Sequence, residues 1–265
     1  MRSSFSETRK LGHHFAWESF SSTTNCANFQ SQSIKATRPT QPKPAEFRSV
    51  IRILAYQNFK VENNPCEPEN SSITTLLTRS LQQHLAVIQS LLDSKLAEIE
   101  QAGTLICEAL DSGHKILLCG NGGSAADAQH IAAELVGRYE QQRRAFPAIA
   151  LTTDTSALTA LSNDFGYEEV FARQVQALGG AGDVLIAIST SGKSPSIIKA
   201  AEQARAIGCK IIGLAGGSGD PLASHCDLSI VVPMDRTSRV QEAHITIGHL
   251  WCEMVDNFLG PGRPG

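Results

Sequence analysis

The sequence predicts a doubly wound α/β domain: a five-stranded parallel sheet of flavodoxin-like type, flanked by helices. Two observations carry this. From about residue 115 onward, short apolar runs alternate with stretches of helical spacing. The runs are continuously apolar rather than alternating, which marks strands covered on both faces.

The elements follow in order. Residues 73–101 repeat apolar positions at helical spacing (Leu76, Leu77, Leu81, Leu85, Ile88, Leu92, Leu96, Ile99), and a second helix is expected over 102–112, ending at Ser112-Gly113. Strands are expected at 115–119, 147–152, 183–188, 210–215 and 228–232. The intervening helices are expected at 124–138, 155–162, 167–178 and 194–207. A Gly-rich loop (Gly216, Gly217, Gly219) and a short helix follow the fourth strand, and a long helix covers about 237–258. This domain spans residues 71–265.

Residues 1–70 are expected to be a disordered extension. They are rich in Ser, Thr, Asn, Gln and Pro, and include Thr-Arg-Pro-Thr-Gln-Pro-Lys-Pro at 37–44. Residues 1–60 carry nine Lys/Arg against three Asp/Glu. An extension without a role in the chemistry is expected in preference to an organelle transit peptide.

Composition narrows the function classes. A net charge of −3 gives no reason to expect nucleic acid or a membrane surface as partner, and no apolar run approaches the roughly 20 residues of a membrane helix. Seven cysteines without regular spacing fit neither a metal knuckle nor a disulfide framework. Cys119, Cys209 and Cys226 read as buried small hydrophobes, and a reducing, cytoplasmic compartment is expected.

Two strand-to-helix junctions suit an anion. Asn121-Gly122-Gly123-Ser124 closes the first strand, and Ser189-Thr190-Ser191-Gly192-Lys193-Ser194 closes the third. Backbone N–H groups and the positive end of a helix dipole meet at such junctions. The first loop has the spacing of neither a dinucleotide fingerprint nor a P-loop. Alone, the first is as well explained as a structural turn. Together they point to a phosphorylated small molecule, cradled by hydroxyls and N–H groups without need of a metal.

His130 and Glu134 stand i, i+4 on the helix leaving the first loop, as a solvated pair, a metal pair or a base beside substrate. Gln241, His244 and His249 lie on the last helix, with Gln241 and His249 eight apart on one face. The two helices could present two imidazoles, a carboxylate and a carboxamide to one point, a set that zinc accepts.

The stretch Gly120-Asn-Gly-Gly-Ser-Ala-Ala-Asp-Ala-Gln-His-Ile-Ala-Ala-Glu-Leu-Val-Gly-Arg-Tyr139 resembles the core of the phosphoheptose isomerases, a branch of the sugar isomerase domain superfamily. Ser162-Asn-Asp-Phe-Gly-Tyr167, Ile188–Ser194 and Arg239–His249 resemble the same family, in the same order. The resemblance covers about residues 73–260.

It implies interconversion of D-sedoheptulose 7-phosphate and D-glycero-D-manno-heptose 7-phosphate, the first step toward nucleotide-activated heptose for surface polysaccharide. It also implies a homotetramer with sites at subunit interfaces and one zinc ion per subunit. Carried over residue by residue, His130, Glu134, Gln241 and His249 are the zinc ligands, and Glu134 and His249 the acid–base pair. Ser124, Ser189, Thr190, Ser191 and Ser194 hold the phosphate. Asn121, Gly122, Gly123, Asn163 and Asp164 hold the sugar, with Glu134 and Gln241 also at the substrate. Arg138 either reaches a neighbouring site or forms a surface ion pair, and His244 receives no role. Two other readings stand beside this one: a non-catalytic domain of the superfamily that contacts a replication initiator, and another phosphosugar enzyme or sugar-sensing regulator.

Overall fold

The computed structural model describes residues 72–260. The expected extension over residues 1–70 lies outside them. Within them, two N-terminal helices precede the sheet: α1 (Ile73–Ser94) and α2 (Leu96–Asp111). There follow β1 (Ile116–Gly120), α3 (Gly123–Val136), β2 (Ala148–Ala150), α4 (Thr155–Phe165) and, after a 3-10 turn, α5 (Val170–Leu178). The chain ends through β3 (Val184–Ser189), α6 (Pro195–Ala206), β4 (Lys210–Gly216), a 3-10 turn, β5 (Leu228–Val232) and α7 (Thr237–Leu259).

All strand pairs are parallel, in the order β2-β1-β3-β4-β5. The order reverses between β1 and β3, so their carboxyl ends flank the crevice in which such sheets bind ligands. Both anion-type loops sit there.

The uninterrupted apolar runs conceal a period of two. Ile116 and Leu118 of β1, with Val184, Ile186 and Ile188 of β3, enter a core shared with α2, α3 and α7. Leu117, Cys119, Leu185 and Ala187 face the opposite way and meet α5 and α6. Two covered faces account for the strand composition.

One helix boundary differs from expectation. The chain breaks at Lys95 (φ −125°, ψ 0°) rather than near residue 101. Ala102 and Gly103 lie inside α2, where Met254 and Trp251 of α7 occupy the space a side chain at Gly103 would need. The Trp251 indole N–H donates to the Ile99 carbonyl at 3.0 Å and fixes this crossing. Glycine there serves close packing, not termination. Cys119 and Cys209 are buried as expected, whereas Cys226 is only half-buried, against the α5–α6 core.

Helix α1 buries only Val87 and Leu91. Leu76, Leu77, Leu81 and Leu85 are 57–65% exposed, although their spacing is that of a packed face.

Two buried polar groups tie α7 to the domain. Asp256, 2% exposed, accepts from the Arg143 Nε at 2.6 Å and from the backbone N–H groups of Glu140 and Gln141 at 2.8 Å each. Burial pushes its carboxyl up, but these donors outweigh burial and hold it below the usual carboxylate range. His244 is fully buried and its Nε2 donates to the Ala215 carbonyl at 3.1 Å. Burial lowers its pKa to about 4, and the carbonyl contact opposes this only in part.

Two outcomes follow from these groups. Asp256→Asn leaves a fully buried guanidinium without its counter-charge, and should cost about 3–5 kcal/mol in urea unfolding at pH 7. For His244 the depressed pKa means that the fold excludes the proton an unfolded chain accepts. The stability that neutral His244 contributes is therefore complete above about pH 6.5 and is lost toward pH 4, by about 3 kcal/mol. Asp256 and Asp183, both lowered, lose their contribution only below the ordinary carboxylate range, so the windows separate. In urea titrations at pH 7 and pH 4.5, wild type should lose about 2–3 kcal/mol more stability than His244→Gln; groups common to both, Asp127 with its raised pKa among them, cancel in that difference.

Candidate active site

Helices α3 and α7 run side by side in the same direction. Gly248 of α7 packs on Ile131 of α3 so closely that a side chain on it would overlap the isoleucine. This register brings His249 beside His130. Their Nε2 atoms are 2.9 Å apart and the rings meet edge to face, with centroids 5.1 Å apart. Glu134, one turn along, places Oε1 3.5 Å from the His130 Nε2. The cluster faces outward: the His130 side chain is 49% exposed and that of Glu134 24%. Arg138 lies exposed just beyond the end of α3.

Gln241 stands apart from that cluster. Its carboxamide lies against Gly123, filling the space where a side chain on that residue would begin. Eight helical residues span about 12 Å, so Gln241 sits two turns from His249 and faces the start of α3. Within one chain the four expected zinc ligands divide into a trio and a lone carboxamide.

As to fit, two imidazoles and a carboxylate are an accepted donor set for a catalytic zinc with an open fourth position. Among the described residues no group of three or more His, Cys, Asp or Glu is already drawn into a metal cage. The 2.9 Å between the two Nε2 atoms is a hydrogen-bond contact. Two nitrogens sharing a tetrahedral zinc stand ~3.3 Å apart, a gap that small ring rotations supply. The trio of His130, Glu134 and His249 fits the ion in kind and position.

The anion-type loops are built as the switch point requires. Gly122 holds φ +56° and starts α3, and Ser124, buried, donates its N–H to the Asn121 carbonyl. Neither α3 nor α6 has a side-chain cap at its N-terminus, which leaves first-turn N–H groups for a ligand. Ser189 donates to Ser194 at 3.3 Å, and the Ser191 hydroxyl accepts from the Lys193 N–H at 3.2 Å. Thr190 is half-buried at the rim.

Asn121 joins the two loops: its Nδ2 donates to Ser196 of α6 at 3.0 Å. Its Oδ1 accepts from the Tyr167 hydroxyl at 2.7 Å. Asn163 and Asp164, near the end of α4, are exposed and bonded to each other at 2.8 Å. Tyr167, three residues on, ties that segment to the crevice.

Sequence reasoning missed three residues. Tyr139 stacks on His249, as does no residue foreseen there except His130. Tyr167 holds Asn121. Asp127, one turn before His130, has a buried Oδ2 without a hydrogen-bond partner, and burial pushes its pKa up to about 6 despite the opposing influence of His130. Its i+3 and i+7 spacing to His130 and Glu134 was readable from the sequence. The tyrosine contacts arise from loops and were not.

Comparison with known proteins supplies the family. Residues 81–216 match the SIS domain family. A phosphoheptose isomerase of Aliarcobacter butzleri is 53% identical over 176 residues, covering 66% of this chain and 93% of that protein. The chain belongs to the phosphoheptose isomerase family. The solved phosphoheptose isomerase of Neisseria gonorrhoeae is 41% identical and superposes with a TM-score of 0.67, covering 70% of this chain and 100% of that one. That of Francisella tularensis is 35% identical with a TM-score of 0.68, over 70% and 99% of the two chains. No helix among the described residues is long and apolar enough to cross a membrane.

Gly123 supplies a local test of this phosphoheptose isomerase site. Gly123→Ala favours the helix but displaces the Gln241 carboxamide, a flexible group that yields easily. The expected result is an unchanged melting temperature with kcat/KM for the sugar phosphate reduced about tenfold, equivalent to ~1.4 kcal/mol of transition-state binding.

Proposed function

We propose that the chain interconverts D-sedoheptulose 7-phosphate and D-glycero-D-manno-heptose 7-phosphate, as the aldose–ketose isomerase of its family. The observation that carries this is the His130–Glu134–His249 cluster beside the switch-point crevice, in a chain about half identical to phosphoheptose isomerases over nearly their whole length.

The 7-phosphate is held by Ser124, Ser189, Thr190, Ser191 and Ser194 and by the open ends of α3 and α6. Asn121, Gly122, Gly123, Asn163 and Asp164 bind the sugar hydroxyls. Glu134 takes the proton from C1 of the ketose, and the electron pair forms the C1–C2 double bond while the C2 oxygen gains a proton. The C1 hydroxyl then gives up its proton, and the C2 carbon receives one from Glu134. His249 passes the proton between the two oxygens. His130, Glu134 and His249, with Gln241 as the further donor, would hold one zinc ion per subunit, and that ion would polarise the carbonyl.

The protein is a cytoplasmic homotetramer with sites between subunits. Two features support the assembly: the exposed leucine face of α1 and the outward orientation of the cluster. Separation of Gln241 from the cluster within one chain fits a site completed by a neighbouring copy.

Purified protein incubated with sedoheptulose 7-phosphate should produce the aldoheptose 7-phosphate. Glu134→Gln and His249→Ala should each lower kcat about 10²- to 10⁴-fold. Treatment with a chelator should abolish turnover and zinc should restore it. Tight binding of the sugar phosphate without turnover by metal-replete wild type would instead identify a binding module.

A further inference from the structure

His249 projects from α7 on its half-buried side. An imidazole turns broadly about its outer torsion unless its faces are walled. His130 walls one side but is itself half-exposed. Tyr139 also packs against His249, with the ring centroids 5.6 Å apart at an interplanar angle of 31°. This is within the range in which aromatic rings attract each other.

Tyr139 is a firm wall, because it packs against the main core at its inner edge. The next two residues, Glu140 and Gln141, donate their N–H groups to the buried Asp256 carboxylate. Asp256 is seven residues beyond His249, on the same face of α7. One helix thus carries both the imidazole and the carboxylate that pins the loop packed against it.

We infer that Tyr139 is a positioning residue for His249, its ring face fixing the plane of the imidazole. The inference rests on the isomerase reading for its kinetic consequence only. A reacting nitrogen displaced by about 1 Å costs on the order of 10²-fold in rate. The tyrosine hydroxyl has no part in this, so the ring alone is needed.

The test compares Tyr139→Phe with Tyr139→Ala in the full chain. Phe should keep kcat within about threefold, and Ala should lose about 10- to 100-fold in kcat with KM within about threefold. The His249 Hε1 proton resonance, assigned by its disappearance in His249→Gln, should shift in Ala and stay in place in Phe. A wild-type kcat in Ala, an equal loss in Phe and Ala, or an unmoved His249 resonance in Ala would each overturn the proposal. If wild type fails to turn over the sugar phosphate, the isomerase reading fails, and the resonance still decides the role of Tyr139. Should the Ala variant not fold, Tyr139→Leu, which keeps bulk without an aromatic face, carries the same comparison.

Discussion

The buried Asp256–Arg143 pair holds the two helices of the cluster in one register. Arg143 is fully buried and does three jobs. Its Nε meets Asp256 on α7, and its terminal nitrogens donate to the Glu134 and Leu135 carbonyls, at 2.9 and 3.0 Å, at the end of α3. The free carbonyls that end a helix are thereby capped by a cation from the following loop. A buried ion pair repays its desolvation only where the remaining hydrogen-bonding positions are used. Here Asp256 accepts three bonds and Arg143 makes four. The backbone of Glu134 is fixed to the helix of His249 at a point away from the solvent-facing cluster.

That arrangement separates rigidity from chemistry. Polar groups that must not move are buried and saturated: Asp256, Arg143, and Asp183, which ties β1 to β3 through Lys115. Groups assigned to proton transfer stand half-open at the edge of the crevice and contact one another sparsely. His244 shares the burial of the first class but not its saturation, since its Nδ1 has no partner, and so a histidine on the same helix as His249 has an opposite character. Its position places it over β4, where burial keeps it neutral and its one bond goes to the Ala215 carbonyl.

Much of this was legible in the sequence, for definite reasons. Short continuous apolar runs alternating with helical stretches are the pattern of strands covered on both faces, so the parallel sheet and all five strands could be placed. The two loops were readable because each cluster of glycine or serine directly follows an apolar strand run and precedes a helical pattern. His130 and Glu134 were readable because a helix imposes their common face. What the sequence concealed depends on contact between distant segments. The break at Lys95 rather than at residue 101 is one case, since only the packing of Met254 and Trp251 on Gly103 shows that this stretch belongs within one helix. Tyr139 and Tyr167 are others: each acquires its role from a partner on a different element.

Gln241 marks the limit of reasoning from helix faces. Eight residues apart satisfies a common face with His249, but a face is a line about 12 Å long, not a point. Side chains on a helix lean toward its N-terminus, so Gln241 leans away from His249 and onto Gly123. Sharing a face therefore places Gln241 at the entrance of the phosphate loop and His249 at the cluster. For both to meet one ligand, that ligand must span the crevice, or a second copy must bring its own glutamine to the first copy's histidines. A seven-carbon sugar phosphate has the length for the former, and the exposed leucines of α1 supply a surface for the latter.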